Sequence, residues 1–232
     1  MHAILAHVQS QMERAEAAPV RAAAAMAAVA LDDGDGGSAE SDVAALQVWR
    51  ARSRELRSLW DKNAWWTWKG VTFGEAGGAH AGRVVEIDLV RTGVTGDVPA
   101  ELGALTALKT LHLHGNRLRS VPEELGALTA LTTLRLGGNQ LQSVPTALGG
   151  LTALTGLDLS RNELTSVPVE LDKLTALSML DLRGNYLTEV PAEFGRLTTL
   201  NTLVLSSNQL RSLPAEWERG GALAKSGCAI IR

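Results

Sequence analysis

Two histidines, His112 and His114, are the side chains of this 232-residue sequence best suited to bind a metal ion. One residue separates them, so in a β-strand both imidazoles lie on the same face. Asp88 occurs 24 residues before His112, and the repeat described below places these two side by side. Two imidazoles and a carboxylate suit a divalent metal, but Arg135 on the other flank would repel a cation. We therefore predict no metal, cofactor or catalytic residue, and keep a metal-dependent enzyme as an alternative.

The other reactive side chains have structural interpretations. Asp158 and Asp181 are 23 residues apart and would lie about 5 Å apart on adjacent strands, where a solvated surface is the simplest interpretation. The arginine-rich segment 50–57 is typical of a solvated helix face. Cys228 is the single cysteine and is fifth from the end, one place away from a prenylation position. We expect it to be buried at the end of the core.

Composition excludes two classes of protein and points to a repeat. The chain has 22 Lys and Arg against 25 Asp and Glu, a net charge of −3, which argues against nucleic-acid binding. No apolar run reaches the roughly 18 residues of a membrane-spanning helix. Leucine accounts for 37 of the 232 residues, and such a bias predicts internal repetition.

The repeat has a period of 23 residues, marked by an asparagine in each unit: Asn116, Asn139, Asn162, Asn185 and Asn208. Before each asparagine, leucines alternate with variable residues, which places the leucines on one face of a short strand. Such a strand buries its apolar face only against neighbouring units. The asparagine amide can satisfy backbone groups of the turn. The proline near the end of each unit indicates an extended chain that leaves the sheet.

This pattern, L-x-x-L-x-L-x-x-N-x-L, resembles the leucine-rich repeat family. A sixth, degenerate unit precedes the five, with Thr92 at the asparagine position, and its segment 94–99 resembles the turn of plant receptor-type repeats. The resemblance implies an α/β fold: a right-handed leucine-rich repeat solenoid, or horseshoe arc, with a parallel concave sheet, a helical N-terminal cap and a short C-terminal cap.

The segment before the repeats resembles the N-terminal cap of plant receptor-type leucine-rich repeat proteins, C-x-W-x-G-V-x-C. Trp68, Gly70 and Val71 match that pattern, whereas Trp66 and Phe73 take the two cysteine positions. We expect aromatic packing to replace the disulfide and to cover the open end of the core. An exposed aromatic binding site is the alternative.

Four segments follow from these patterns. Residues 1–41 are an Ala-rich stretch with a Gly/Asp linker, expected to be flexible. Residues 42–83 form the N-terminal cap, residues 84–219 the six repeats, and residues 220–232 the C-terminal cap, in which Cys228, Ile230 and Ile231 would close the core.

The variable strand positions line the concave face, the surface that such scaffolds use for binding. We predict a non-catalytic protein-protein interaction module, with no nucleic acid and no membrane insertion; a monomer is expected. The scarcity of cysteine favours a cytoplasmic signalling scaffold or regulator, with an extracellular, secreted receptor-like binder as the alternative. The predicted binding residues are His112, His114, Arg135, Asp158, Arg161, Met179, Asp181, Arg183 and Tyr186. Reversing the charges of Arg135 and Arg183 is expected to abolish binding while leaving the melting temperature nearly unchanged.

Overall fold

The computed structural model describes residues 38–60, 67–75, 79–218 and 227–231. Within them the main sheet has eight strands, of which the first is antiparallel to its neighbour and the others are parallel. A second sheet pairs β3 (Thr95–Asp97) with β5 (Arg117–Ser120). The main sheet runs, in spatial order, through β1 (Val71–Phe73), β2 (Val84–Asp88), β4 (Thr110–His112), β6 (Thr133–Arg135), β7 (Gly156–Asp158), β8 (Met179–Asp181), β9 (Thr202–Val204) and β10 (Ala229–Ile231).

The leucines of successive repeats stack in register beneath the sheet. Leu134 pairs with Leu111 on one side and with Leu157 on the other, and none of the three is more than 1% exposed. Burying each such side chain is worth about 1.5–3 kcal/mol, and only the neighbouring repeats supply the covering surface. The predicted leucine-rich repeat solenoid with a parallel sheet is confirmed.

On its way to the next strand, the chain passes through a short 3₁₀ helix. A proline precedes each helix with φ between −56° and −80°, because proline fixes φ near this value and lacks an N–H that would remain unpaired. The extended chain predicted at these prolines is confirmed. The helices span Ala100–Ala104, Glu123–Ala127, Thr146–Gly150, Val169–Lys173 and Ala192–Arg196.

The asparagines form a ladder of hydrogen bonds between repeats. Asn162 Nδ2 donates to the backbone oxygens of Leu136 and Leu159 at 3.1 and 3.0 Å, and its Oδ1 accepts from the N–H of Leu141 at 3.1 Å. In the first repeat, the Thr92 hydroxyl donates instead to the backbone oxygen of Leu89, directly after β2, at 2.9 Å. The predicted role of the amide is confirmed, and it recurs at Asn116, Asn139, Asn185 and Asn208.

Two helices form the start of the described chain, α1 (Ala39–Arg52) and α2 (Arg54–Leu59). Ser38 caps α1 by accepting a hydrogen bond from the N–H of Ser41 at 3.2 Å, and the Ser41 hydroxyl bonds back to Ser38. The predicted linker end at residue 41 is therefore wrong, because these serines form a capping box rather than a flexible tract. Residues 1–37 lie outside the described residues, and their flexibility stays a prediction.

Three tryptophans, Trp49, Trp60 and Trp68, cover the N-terminal end of the leucine core and are at most 3% exposed. The rings of Trp60 and Trp68 stack with centroids 4.7 Å apart, and Trp49 meets Trp60 edge-on at 6.3 Å. Large aromatic side chains therefore cover this end of the core, while the predicted replacement of the disulfide by Trp66 and Phe73 stays a prediction. Phe73 packs against the same core, whereas Trp66 lies outside the described residues.

A buried ion pair, which the sequence analysis missed, joins α1 to the repeats. Arg83 Nε and Nη2 donate to the two carboxylate oxygens of Asp42 at 3.0 and 3.3 Å, and both side chains are at most 1% exposed. The same carboxylate accepts from the N–H of Val84 at 2.8 Å, while Arg83 also reaches the Thr106 hydroxyl at 3.0 Å. These contacts attach α1 to the first repeat.

The arginines of segment 50–57 lie on the cap surface, as predicted. Arg52 is paired with Glu101 at 3.0 Å and its side chain is 61% exposed. Arg50 and Arg57 donate to backbone carbonyls of the cap at 2.7 Å. Two of these contacts stay within the cap and one reaches the first 3₁₀ helix, so the segment has a structural role.

The C-terminal end differs in part from the prediction. Trp217 in the short helix α3 (Ala215–Glu218) is buried, and its Nε1 donates to a carbonyl of the preceding repeat at 3.0 Å. Ile231 does not close the core: it is 48% exposed, because Ile230 occupies the register position opposite the inward Leu203. Cys228 is only half-buried, and this burial raises the pKa of its thiol.

Candidate functional site

The surface of interest is the face of the main sheet opposite the buried leucines, here called the variable face. Its central column follows the strand register, so each residue lies beside its counterpart in the neighbouring repeats. The predicted alignment is confirmed, and the column runs Asp88, His112, Arg135, Asp158, Asp181, Val204.

The two histidines lie at the N-terminal end of this face, with ring centroids 6.2 Å apart. His112 Nδ1 is 3.9 Å from the Asp88 carboxylate. Ligand-type atoms of His112, Asp88 and Glu86 lie within 4.8 Å of one another, so Glu86 joins this group rather than His114. Burial lowers the pKa of His112, and the positive charge of Arg135 lowers it further. Nε2 of His112 and Nδ1 of His114 are buried and have no hydrogen-bond partner among the described residues.

Asp181 and Arg183 form a pair, and the solvated surface predicted for the two aspartates is wrong for Asp181. Its side chain is only 2% exposed, and Arg183 Nε donates to it at 2.8 Å. This hydrogen bond raises the pKa of Arg183. Arg183→Glu would therefore place a second carboxylate beside a buried one, and we now expect that substitution to lower the melting temperature.

Six of the nine predicted binding residues line one groove of about 330 Å³ on the variable face: His114, Arg135, Asp158, Met179, Asp181 and Arg183. Met179 is 44% exposed there, and Tyr186, outside the lining, is 52% exposed. Arg161 lines an adjoining groove of about 290 Å³ with His114, Asp158 and Arg183. His112 and Tyr186 line neither groove, so the structure brings together seven of the nine predicted residues.

Arg91 also lines the second groove, and the sequence analysis missed it. It occupies the position directly before the ladder residue, where Arg161 stands three repeats later. The signal was available in the sequence, because three of the other repeats have glycine at this position: Gly115, Gly138 and Gly184.

Family models match most of the repeat array. A leucine-rich repeat region model matches residues 82–180, and a leucine-rich repeat model matches residues 176–197. With the 23-residue period, the parallel register and the asparagine ladder, these matches establish that the chain belongs to the leucine-rich repeat family. Comparison with curated proteins found no match.

Solved structures with the same fold include plant receptor ectodomains. A chain of the BIR3–SERK2 complex from Arabidopsis thaliana is 28% identical, with a TM-score of 0.62, over 75% of this chain and 95% of that one. The ectodomain of the receptor kinase GASSHO1/SCHENGEN3 from Arabidopsis thaliana, in complex with CASPARIAN STRIP INTEGRITY FACTOR 2, is 43% identical, with a TM-score of 0.51, over 53% of this chain and 16% of that one. A plant ice-binding protein is 31% identical, with a TM-score of 0.64, over 74% and 57%.

Among the described residues, no helix is both long and apolar enough to cross a membrane.

Proposed function

We propose that this protein is a non-catalytic binding module that recognises a protein partner through the variable face. The observation that carries the proposal is the groove of about 330 Å³ across neighbouring strands, where Arg135, Met179 and Asp158 are presented by a rigid sheet. Arginine, methionine and tyrosine are enriched where proteins bind proteins. Exposed Met179 and Tyr186 supply apolar area between the charges.

The partner is proposed to be extracellular, as for a receptor-like ligand binder. The supporting observation is that the structural neighbours include a receptor-kinase ectodomain in complex with CASPARIAN STRIP INTEGRITY FACTOR 2 and a chain of the BIR3–SERK2 complex. The cytoplasmic location predicted from cysteine usage has no support from these neighbours. The stacking of Trp60 on Trp68 is compatible with an extracellular location and with a cytoplasmic one, so it does not distinguish the two.

An intracellular signalling scaffold is the second candidate, favoured by the single cysteine of the chain. Fractionation of source cells separates the two candidates. The chain in the secreted or cell-surface fraction supports the receptor-like binder, whereas its presence in the cytosol alone favours the scaffold.

Affinity capture tests the binding face directly. Wild-type protein and the double variant Arg135→Glu/Met179→Glu are compared as baits against both the lysate and the secreted fraction. Both side chains are exposed, so the variant is expected to lose the partner while its melting temperature changes by no more than about 4 °C.

The matched control is Arg117→Glu/Arg119→Glu, which reverses two exposed charges on β5 of the second sheet. This variant is expected to keep the partner. If the Arg135→Glu/Met179→Glu variant still captures the partner and the control variant does not, the partner binds a surface other than the variable face.

A further inference from the structure

Arg91 and Arg161 occupy backbone positions that favour glycine. The residue before the ladder position has φ between 51° and 73° in all six repeats: Arg91, Gly115, Gly138, Arg161, Gly184 and Ser207. Glycine adopts this left-handed conformation freely, whereas other L-residues are strained in it. A long charged side chain at this position, against the backbone preference, marks a candidate functional residue, because strained residues concentrate at functional sites.

The neighbouring glycines make room for these arginine side chains. A Cβ atom on Gly115 would lie 2.7 Å from Arg91 Cγ, and one on Gly184 would lie 3.3 Å from Arg161 Cγ. Each arginine therefore extends across the backbone of the next repeat. Both are exposed, and within the described residues neither makes a side-chain hydrogen bond or ion pair. Their guanidinium groups are available to a ligand.

Both arginines line the groove of about 290 Å³, together with Arg183 and one aspartate, Asp158. Arg183 is already paired with Asp181, and Asp158 Oδ1 accepts from a backbone N–H at 2.9 Å. In the part of the chain that the structure describes, no carboxylate pairs with Arg91 or Arg161. The groove thus carries positive charge that the fold itself does not neutralise.

We propose that this groove binds an acidic, extended segment of the protein partner, with Arg91 and Arg161 each pairing with a side-chain carboxylate. The inference rests on the proposed function and names the chemistry of its ligand. Arginine pairs with carboxylates through two parallel N–H···O bonds. Three strand spacings separate the two arginines, about 14 Å, which an extended peptide covers in roughly four residues. The ligand carries acidic residues about four positions apart.

The test uses a fluorescein-labelled deca-glutamate peptide with an amidated C-terminus, so that only side-chain carboxylates are offered, and fluorescence anisotropy. Deca-glutamine is the neutral control. Wild-type protein is expected to bind deca-glutamate with an affinity that falls as the salt concentration rises. It is not expected to bind deca-glutamine.

The decisive variant is Arg91→Gly/Arg161→Gly, which introduces glycine, the residue that three other repeats have at this position. We expect its affinity for deca-glutamate to fall at least about tenfold, while its melting temperature stays the same or rises by up to about 4 °C. Ser207→Gly makes the same backbone change without removing a charge, and should bind like wild type. Arg117→Gln/Arg119→Gln removes two exposed charges elsewhere, and should also bind like wild type.

Three outcomes overturn the inference: no binding of deca-glutamate, equal binding by wild type and the double glycine variant, or an equal loss with Arg117→Gln/Arg119→Gln. Partner capture by the variable face separates this failure from that of the proposed function. If capture still depends on Arg135 and Met179, only the acidic chemistry of the ligand is wrong.

Discussion

The N-terminal cap and the repeat array hold their buried side chains in place by different means. In the array, one set of contacts recurs: a stacked leucine, a ladder amide and a proline before each 3₁₀ helix. In the cap each contact occurs once, as in the Trp60–Trp68 stack and the Asp42–Arg83 pair. Stability in the array is shared among neighbouring repeats, whereas in the cap it depends on a few individual side chains.

The strongest test of this difference is Asp42→Ala. It removes the carboxylate to which the buried Arg83 and the N–H of Val84 donate. Breaking a buried pair by removing one partner costs about 3–5 kcal/mol. We expect urea unfolding to show this loss, in a separate early transition if the cap detaches before the array unfolds.

The exposed pair on the same cap is the matched control. Arg52 and Glu101 are 61% and 37% exposed, and such pairs contribute at most about 1 kcal/mol. Glu101→Gln should therefore shift the urea midpoint far less than Asp42→Ala. Equal shifts would show that the buried pair does not dominate the attachment of the cap.

A smaller loss is expected in the array, from Asn162→Ala. The substitution removes hydrogen bonds to Leu136, Leu159 and Leu141, and unpaired buried backbone groups cost about 1–3 kcal/mol. Asn208→Ala removes equivalent bonds at a less buried position, where water can replace them, so its loss should be smaller. Unfolding in denaturant measures both, and equal stability of Asn162→Ala and wild type would contradict the ladder.

The array could be predicted from sequence because its contacts repeat. A 23-residue period fixes the strand register, and the register fixes which side chains are neighbours, as for Arg135 and Asp158. The cap could not be predicted to the same depth. Asp42 and Arg83 are 41 residues apart and occur once, so no pattern links them. Aromatic packing was expected at Trp68, but its stacking on Trp60 depends on the conformations of the two side chains, which no sequence pattern sets.

In the candidate site, too, the sequence predicted some features and not others. The strand register predicted the column containing His112 and Asp181, yet not that Asp181 would be buried against Arg183. That pairing depends on side-chain conformation, which residue types alone leave open. Arg91 was missed for another reason: it lies in the degenerate first repeat and follows the strand, and the sequence marks its position only by the glycines that three other repeats carry there.

The smallest expected effect tests whether this backbone position is strained throughout the array. Ser207 has φ of 57°, and its side chain is exposed. A left-handed L-residue costs about 1–2 kcal/mol, but glycine also loosens the unfolded chain by about 0.4–1 kcal/mol. Ser207→Gly should therefore stabilise by up to about 1 kcal/mol in urea unfolding. Gly184→Ala, at the equivalent position beside Arg161, should destabilise. If Ser207→Gly destabilises instead, left-handed backbone is not costly here, and the strain attributed to Arg91 and Arg161 cannot indicate function.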